Sequence, residues 1–186
     1  AIARERRANG RDEPFKLAFV GLGNENWGCG GAMSADYYVD LMRVFARYAR
    51  NYDPDQKSRL IAVGPDRGDT AYTEAVMKAW SERVWSWTID GISLHFYTQN
   101  GWPPKVPATG FDEAGYARFL EETFLMDGFI RTHSAIMDRY DPEREVALVV
   151  DEWGAWLEPT EGTILTVTRL AAEAAAASTA TEVPAL

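Results

Sequence analysis

The stretch Glu145-Val146-Ala147-Leu148-Val149-Val150-Asp151-Glu152-Trp153 decides the fold, because an unbroken apolar run ends there in two carboxylates and a tryptophan. Strict alternation would mark a strand with one wet face, whereas a continuous run fits a strand buried on both faces, as in a parallel sheet. Working outward, the same pattern recurs in KLAFVGL (Lys16 to Leu22) running into Gly23-Asn24-Glu25 and in RLIAVG (Arg59 to Gly64) running into Pro65-Asp66. It returns in GISL (Gly91 to Leu94), which runs into His95-Phe96-Tyr97. Helical periodicity fills the gaps. Ser34 is a good N-cap for a helix to about Asn51, with Tyr37, Leu41, Val44, Phe45, Tyr48 and Tyr52 along one face. Thr70 to Trp85 carries Tyr72, Val76, Ala79, Trp80 and Val84 at the same spacing. Asp112 to Tyr140 reads as a long helix with Gly128 as its break and Pro142 as its stop. The order βαβαβαβ predicts an α/β protein with a parallel sheet and right-handed crossovers.

Composition narrows the function. The chain has 186 residues and a formal charge of -9, with 19 Lys and Arg against 28 Asp and Glu, which argues against a nucleic-acid binder. One cysteine and two histidines are too few for a structural zinc cluster. No apolar run is long enough to cross a bilayer, so no membrane partner is expected. The N-terminal residues carry no secretory pattern, and the expected location is the cytoplasm. From Ala171 onward 8 of 16 residues are alanine and none is aromatic, so residues 163–186 read as an atypical tail, helical or irregular, behind a catalytic unit of residues 1–162.

Each group capable of chemistry falls at the C-terminal end of a predicted strand. That edge carries the site in a (β/α)8 barrel and also in an open doubly wound sheet, so position alone leaves the two folds open. Glu25 and Glu152, on the first and last of these strands, can form the carboxyl pair of glycoside hydrolysis, one protonating the leaving oxygen and one attacking or activating water. Asn24 can bind a neighbouring sugar hydroxyl. His95 and Tyr97, two residues apart on a strand, point to one side; Tyr97 can hold a carboxylate by a hydrogen bond, and His95 can bind a hydroxyl or orient a carboxylate. Trp27, Trp153 and Trp156 can wall a sugar site. Taken singly, each has an ordinary reading: a solvated loop carboxylate or helix cap for Glu25, a bonded core residue for His95, an exposed or packing place in mid-helix for His133, and a small packing residue for Cys29 in its glycine-rich loop. Four strand ends in one order weigh more than any one of them.

Three segments resemble the α-L-arabinofuranosidases of glycoside hydrolase family 51: GLGNENWGCGG (Gly21 to Gly31), DGISLHFYT (Asp90 to Thr98) and VVDEWGAW (Val149 to Trp156). HSAIMDRYDP (His133 to Pro142) and ATGFDEAGYA (Ala108 to Ala117) are similar to that family as well, and the likeness extends over about residues 4 to 162. It implies a partial (β/α)8 TIM barrel, strands four to seven, and retaining hydrolysis of terminal α-L-arabinofuranosyl groups from arabinose-containing carbohydrate. It places the acid/base at Glu25 and the nucleophile at Glu152, with Asn24, His95, Tyr97 and Trp156 around the furanose ring. No metal or organic cofactor is required, and homo-oligomers are expected of the full-length family. Where the family has Trp-Thr-Glu after its fifth strand, this chain has Tyr72-Thr73-Glu74. From Ile164 on it departs from the family's pattern. A half-barrel would leave two strand edges unpaired and apolar surface wet, which predicts poor solubility or dimerisation. The alternative to an active hydrolase is a silent fragment that at most binds sugar weakly or associates with itself. A different barrel glycosidase, such as a β-xylosidase or endoglucanase, is disfavoured by GNENWGCGG.

Overall fold

The computed structural model describes residues 2–49, 51, 54–84, 86–100, 106–161 and 163. The expected tail, apart from Thr163, lies outside these residues, as do Tyr52 and Trp85. A short charged helix, α1 (Ile2–Ala8), precedes the sheet. There follow β1 (Phe19–Gly21), α2 (Ala35–Tyr48), β2 (Arg59–Ala62), α3 (Ala71–Ser81), β3 (Gly91–Asn100), α4 (Glu113–Thr123), α5 (Leu125–Tyr140) and β4 (Ala147–Trp156).

The four strands pair in parallel in the order β1-β2-β3-β4. A doubly wound sheet reverses strand order at a switch point; here each strand adds beside its predecessor, as in half of a (β/α)8 barrel. The alternative that strand-end position left open is thereby resolved in favour of the barrel. Burial follows the same logic. In β3, residues of both faces are buried, Ile92 and Leu94 on one and Ser93 and His95 on the other, whereas the outer strands β1 and β4 are only partly covered.

Helices α2, α3 and α5 close one face around a core of Tyr38, Met42, Val63, Tyr72, Val76, Met77, Trp80, Ile92 and Met137. The N-cap reading of Ser34 holds, its hydroxyl accepting from the Tyr37 amide at 3.3 Å. The apolar stripe on α2 does not: the buried side is Tyr38, Val39, Met42 and Ala46, while Tyr37, Val44, Phe45 and Tyr48 are exposed. The reason is Tyr38. Its hydroxyl accepts from the Val63 amide at 2.6 Å and donates to the Leu22 carbonyl at 3.2 Å, joining the ends of β1 and β2, and this turns the helix by about one residue. The long helix breaks at Phe124 rather than at Gly128, which sits inside α5 with open space around it. Glycine lowers helix stability by only about 1 kcal/mol. Thr123, by contrast, bonds back to the Leu120 carbonyl at 2.6 Å in the last turn of α4. Asp141, forced out of helical dihedrals by Pro142, ends α5 and accepts from the Val146 amide at 2.7 Å, which sets up the turn into β4.

Of the exposed and packing places open to it, His133 of α5 takes the second and is fully buried. Its Nε2–H donates to the Arg67 carbonyl at 2.5 Å and its Nδ1 accepts from the Thr73 hydroxyl at 2.9 Å. Burial holds its pKa below the ordinary histidine value, so it serves as a neutral cross-link between α5, α3 and the loop after β2.

Candidate active site

The loop after β1 presents Glu25. Gly23 makes the turn at φ 128°, and a Cβ there would meet the Asn26 Oδ1 at 2.2 Å. Glu25 itself stands at φ 44°, in the left-handed region that is costly for a residue with a Cβ. The strain is held by its own carbonyl, which accepts from the Gly28 and Gly30 amides at 2.8 and 2.9 Å. Asn26 Nδ2 donates to the Gly30 carbonyl at 3.0 Å, and Trp27 Nε1 reaches across to the Gly64 carbonyl at 3.1 Å, tying the loop to the end of β2.

β3 and β4 supply the rest. From β3, His95 and Tyr97 share one side, and β4 sets Glu152, Gly154 and Trp156 beside them. Tyr97 donates its hydroxyl to Glu152 Oε1 at 2.6 Å, and its ring meets Trp156 edge-on at 5.7 Å between centroids. Tyr97 pairs in register with Gly154, where no side chain blocks the phenol's path. His95 Nδ1 lies 2.9 Å from Glu25 Oε1 and 3.2 Å from Glu152 Oε2, and its Nε2 lies 3.2 Å from Asp151 Oδ1. One imidazole therefore ties together a carboxylate from the loop after β1 and two from β4.

The electrostatics follow from these contacts. Burial alone would lower the pKa of His95, but hydrogen bonds to Asp151 and Glu25 and the charge of Glu152 outweigh it, and the net result is a rise to about 9. Tyr97 is pushed well above the ordinary phenol value by burial and by its bond to Glu152, so it stays a donor. Cys29 donates its thiol to Glu25 Oε2 at 3.2 Å, and that bond, with burial second, raises its pKa. Glu25, His95 and Glu152 each offer an atom within 4.8 Å of the others, a spacing that a cation could span. His95, whose contacts raise its pKa to about 9, already places a positive charge among these carboxylates.

Of the residues singled out from sequence, Glu25, His95, Tyr97, Glu152 and Trp156 come together through these contacts. Asn24 is exposed beside Glu25, its carbonyl abutting Gly30. Trp27 lines the cluster, edge-on to His95 at 6.5 Å. Trp153 does not: it pairs with Phe96, whose ring packs on Phe129 of α5, so it lies on the helix side of the sheet and is 67% exposed. Sequence reasoning missed two members. Asp151 was passed over beside Glu152 in the Asp-Glu-Trp run, yet its Oδ1 lies 3.2 Å from His95 Nε2. Cys29 was read as packing, yet it is exposed and bonded to Glu25; its position four residues beyond Glu25, in a turn, was the available signal.

No family model matches the chain. An intracellular exo-α-L-arabinofuranosidase of Bacteroides ovatus is 40% identical over 164 residues, a match covering 88% of this chain and 31% of that protein. An exo-α-(1→6)-L-arabinofuranosidase of Bifidobacterium longum is 30% identical over 164 residues, covering 83% of this chain and 29% of the relative. Among solved structures, the GH51 arabinofuranosidase from Xanthomonas axonopodis pv. citri superposes with a TM-score of 0.76 at 46% identity, over 88% of this chain and 32% of that one. The chain thus spans about a third of the length of the proteins it matches.

Proposed function

From its membership of the α-L-arabinofuranosidases of glycoside hydrolase family 51, we infer that this chain carries the two-carboxylate centre of a retaining hydrolase acting on terminal non-reducing α-L-arabinofuranosyl groups. The observation that carries this reading is the cluster in which Glu25 and Glu152 share the Nδ1 of His95 at 2.9 and 3.2 Å. Oxygens of the two glutamates lie within 4.8 Å of each other. Double displacement needs carboxyl groups about 5 Å apart, whereas inversion needs about 6.5–9.5 Å to admit a water.

In this mechanism Glu152 attacks the anomeric carbon while Glu25 gives its proton to the departing glycosidic oxygen. A glycosyl ester on Glu152 results. Glu25, now a carboxylate, takes a proton from water, the resulting hydroxide attacks the same carbon, and Glu152 leaves with configuration retained. Tyr97 occupies Glu152 Oε1 and holds the carboxylate's plane. His95 supplies a positive charge beside Glu152, and beside Glu25 once that group has given up its proton. Asn24, His95, Tyr97 and Trp156 form the furanose subsite, with residues 1–162 as the catalytic unit and 163–186 as a tail. The chemistry calls on no metal or organic cofactor. A cytoplasmic location is part of the proposal and is supported by the relative described as intracellular; among the described residues no helix is long and apolar enough to cross a membrane.

A second reading has its own support. The side chains of Glu152 and Asp151 are 34 and 43% exposed, and water at a reacting pair weakens its electrostatics. On that reading the centre binds sugar without turning it over. Hydrolysis of a chromogenic α-L-arabinofuranoside by the purified chain, beside Glu25→Ala and Glu152→Ala, separates the two. Activity lost in both variants supports the hydrolase; a folded parent with no activity supports the silent site. Equal turnover of a xylopyranoside would overturn the substrate assignment.

A further inference from the structure

We propose that Asp151 is a positioning residue of this centre: its Oδ1 receives the Nε2–H of His95 and thereby turns the Nδ1–H of the same ring onto Glu25 and Glu152. The proposal rests on the reading of those two glutamates as the reacting pair. Its first support is the geometry. His95 is only 6% exposed and is gripped from both sides, by Asp151 at 3.2 Å on Nε2 and by Glu25 and Glu152 at 2.9 and 3.2 Å on Nδ1. An imidazole bonded at one nitrogen can rotate or change tautomer; bonded at both, it has one orientation and one protonation pattern.

The second support lies in the backbone. Consecutive residues of a regular strand point to opposite faces, yet Asp151 and Glu152 both reach the same ring. The register explains how. Ser93 pairs with Val149 and His95 with Glu152, so β4 spends three steps where β3 spends two. The extra residue is a bulge, a device that re-aims a side chain and is rare between parallel strands. Asp151, two residues past Val149, keeps the face of Ser93 and His95; without the bulge Glu152 would pair with Phe96 on the helix side, and Nδ1 would meet no carboxylate from β4.

The groups around His95 make Asp151's part distinct. Glu25 and Cys29 face the cluster from the loop after β1, Asp66 and Arg67 from the loop after β2, and Tyr97 from β3. From β4 come Asp151 and Glu152. Asp66 and Arg67 form their own pair at 3.7 Å; Asp66 bridges to the His95 backbone, and its carboxylate acts on the imidazole through charge. Asp151 alone among the described residues is shown against Nε2. If it were neutral, Nε2 could give up its proton or Nδ1 could turn its lone pair toward two carboxylates, and the tie between Glu25 and Glu152 would loosen.

The test is an NMR titration of the imidazole signals of the full chain, which has two histidines. Wild type, Asp151→Asn and Asp151→Glu are compared, with His133→Gln assigning the second signal. The isosteric Asn keeps the size of a half-exposed side chain, so the fold is retained. In the parent, His95 should titrate near 9. In Asp151→Asn its midpoint should fall by about one pH unit or more toward the ordinary value, and Asp151→Glu should recover part of the loss. An unmoved midpoint in Asp151→Asn overturns the proposal. The underlying reading fails by a separate route: wild-type hydrolysis by Glu152→Ala would remove the reacting pair and leave the titration of His95 to stand or fall by itself.

Discussion

Replacing Gly30 by alanine perturbs the loop that presents Glu25 without touching a titratable group. A Cβ at Gly30 would stand 1.9 Å from the Asn24 carbonyl oxygen and 3.0 Å from the carbonyl carbons of Asn24 and Glu25. These are backbone atoms, so no rotamer change relieves the clash, and the Asn24–Glu25 peptide must retreat by about 1 Å to restore normal contact. Gly30 is not among the residues with positive φ, so alanine tests space rather than dihedral strain. A displacement of about 1 Å at a reacting group costs on the order of 10²-fold in rate, and overpacking costs about 1–3 kcal/mol of stability. Gly128→Ala is the matched control: nothing lies within 4 Å of its Cβ, and in mid-helix it should gain about 0.5–1 kcal/mol. The assay pairs initial rates on a chromogenic α-L-arabinofuranoside with urea unfolding followed by tryptophan fluorescence. Gly30→Ala should lose rate and stability while Gly128→Ala keeps the one and raises the other. A Gly30→Ala protein with parental rate and parental midpoint would refute the argument that this loop is held rigid.

Tyr97→Phe keeps the ring against Trp156 and removes the hydroxyl that meets Glu152 Oε1 at 2.6 Å. Its kcat/KM should fall about 10²-fold or more with the unfolding midpoint nearly unchanged; a parental rate would show that the bond is idle. His133→Ala leaves a cavity and strands the Thr73 hydroxyl and the Arg67 carbonyl, so unfolding should become easier by about 2–4 kcal/mol. Stability should decline on both sides of neutrality. The pKa of His95 rises from 6.5 to about 9 on folding, so its contribution is full below 6.5 and fades as pH climbs through about 9. His133 is depressed, so its contribution is present above 6.5 and is lost as pH falls below that value toward its folded pKa. Urea midpoints measured across pH should show an alkaline decline that His95→Gln flattens; an unaltered slope in that variant would contradict the assignment.

Much of the fold was readable because the physics that sets it is local. Apolar runs without alternation marked the buried strands, Ser34 and Pro142 marked helix ends through capping and steric exclusion, and strand-end carboxylates marked the working edge of the sheet. The burial of α2 was not readable. Two apolar arcs lie on that helix, and the side that faces inward is chosen by Tyr38, whose hydroxyl finds its partners at Leu22 and Val63 only once β1 and β2 have paired. The helix break was misplaced for a related reason: glycine weakens a helix anywhere, but the chain turns where Thr123 diverts a carbonyl.

The same division runs through the site. Chain chemistry by itself named Glu25, His95, Tyr97 and Glu152, since each residue type and its place at a strand end follow from the linear order. Their contacts depend on residues 70 and 55 positions apart in the chain, and such distances are set by strand register. Register also brought Asp151 and Glu152 to one ring. Counted from Val149, a period of two keeps Asp151 on the face of Ser93 and His95, and the bulge between those pairs turns Glu152, otherwise sent to the helix side, onto the same imidazole. Cys29 entered likewise, through a turn whose glycine at position 30 lets backbone approach backbone. Linear order determined which side chains stood at the edge, and tertiary packing decided which of them touch, because touching is a property of paired strands and closed loops rather than of neighbouring residues.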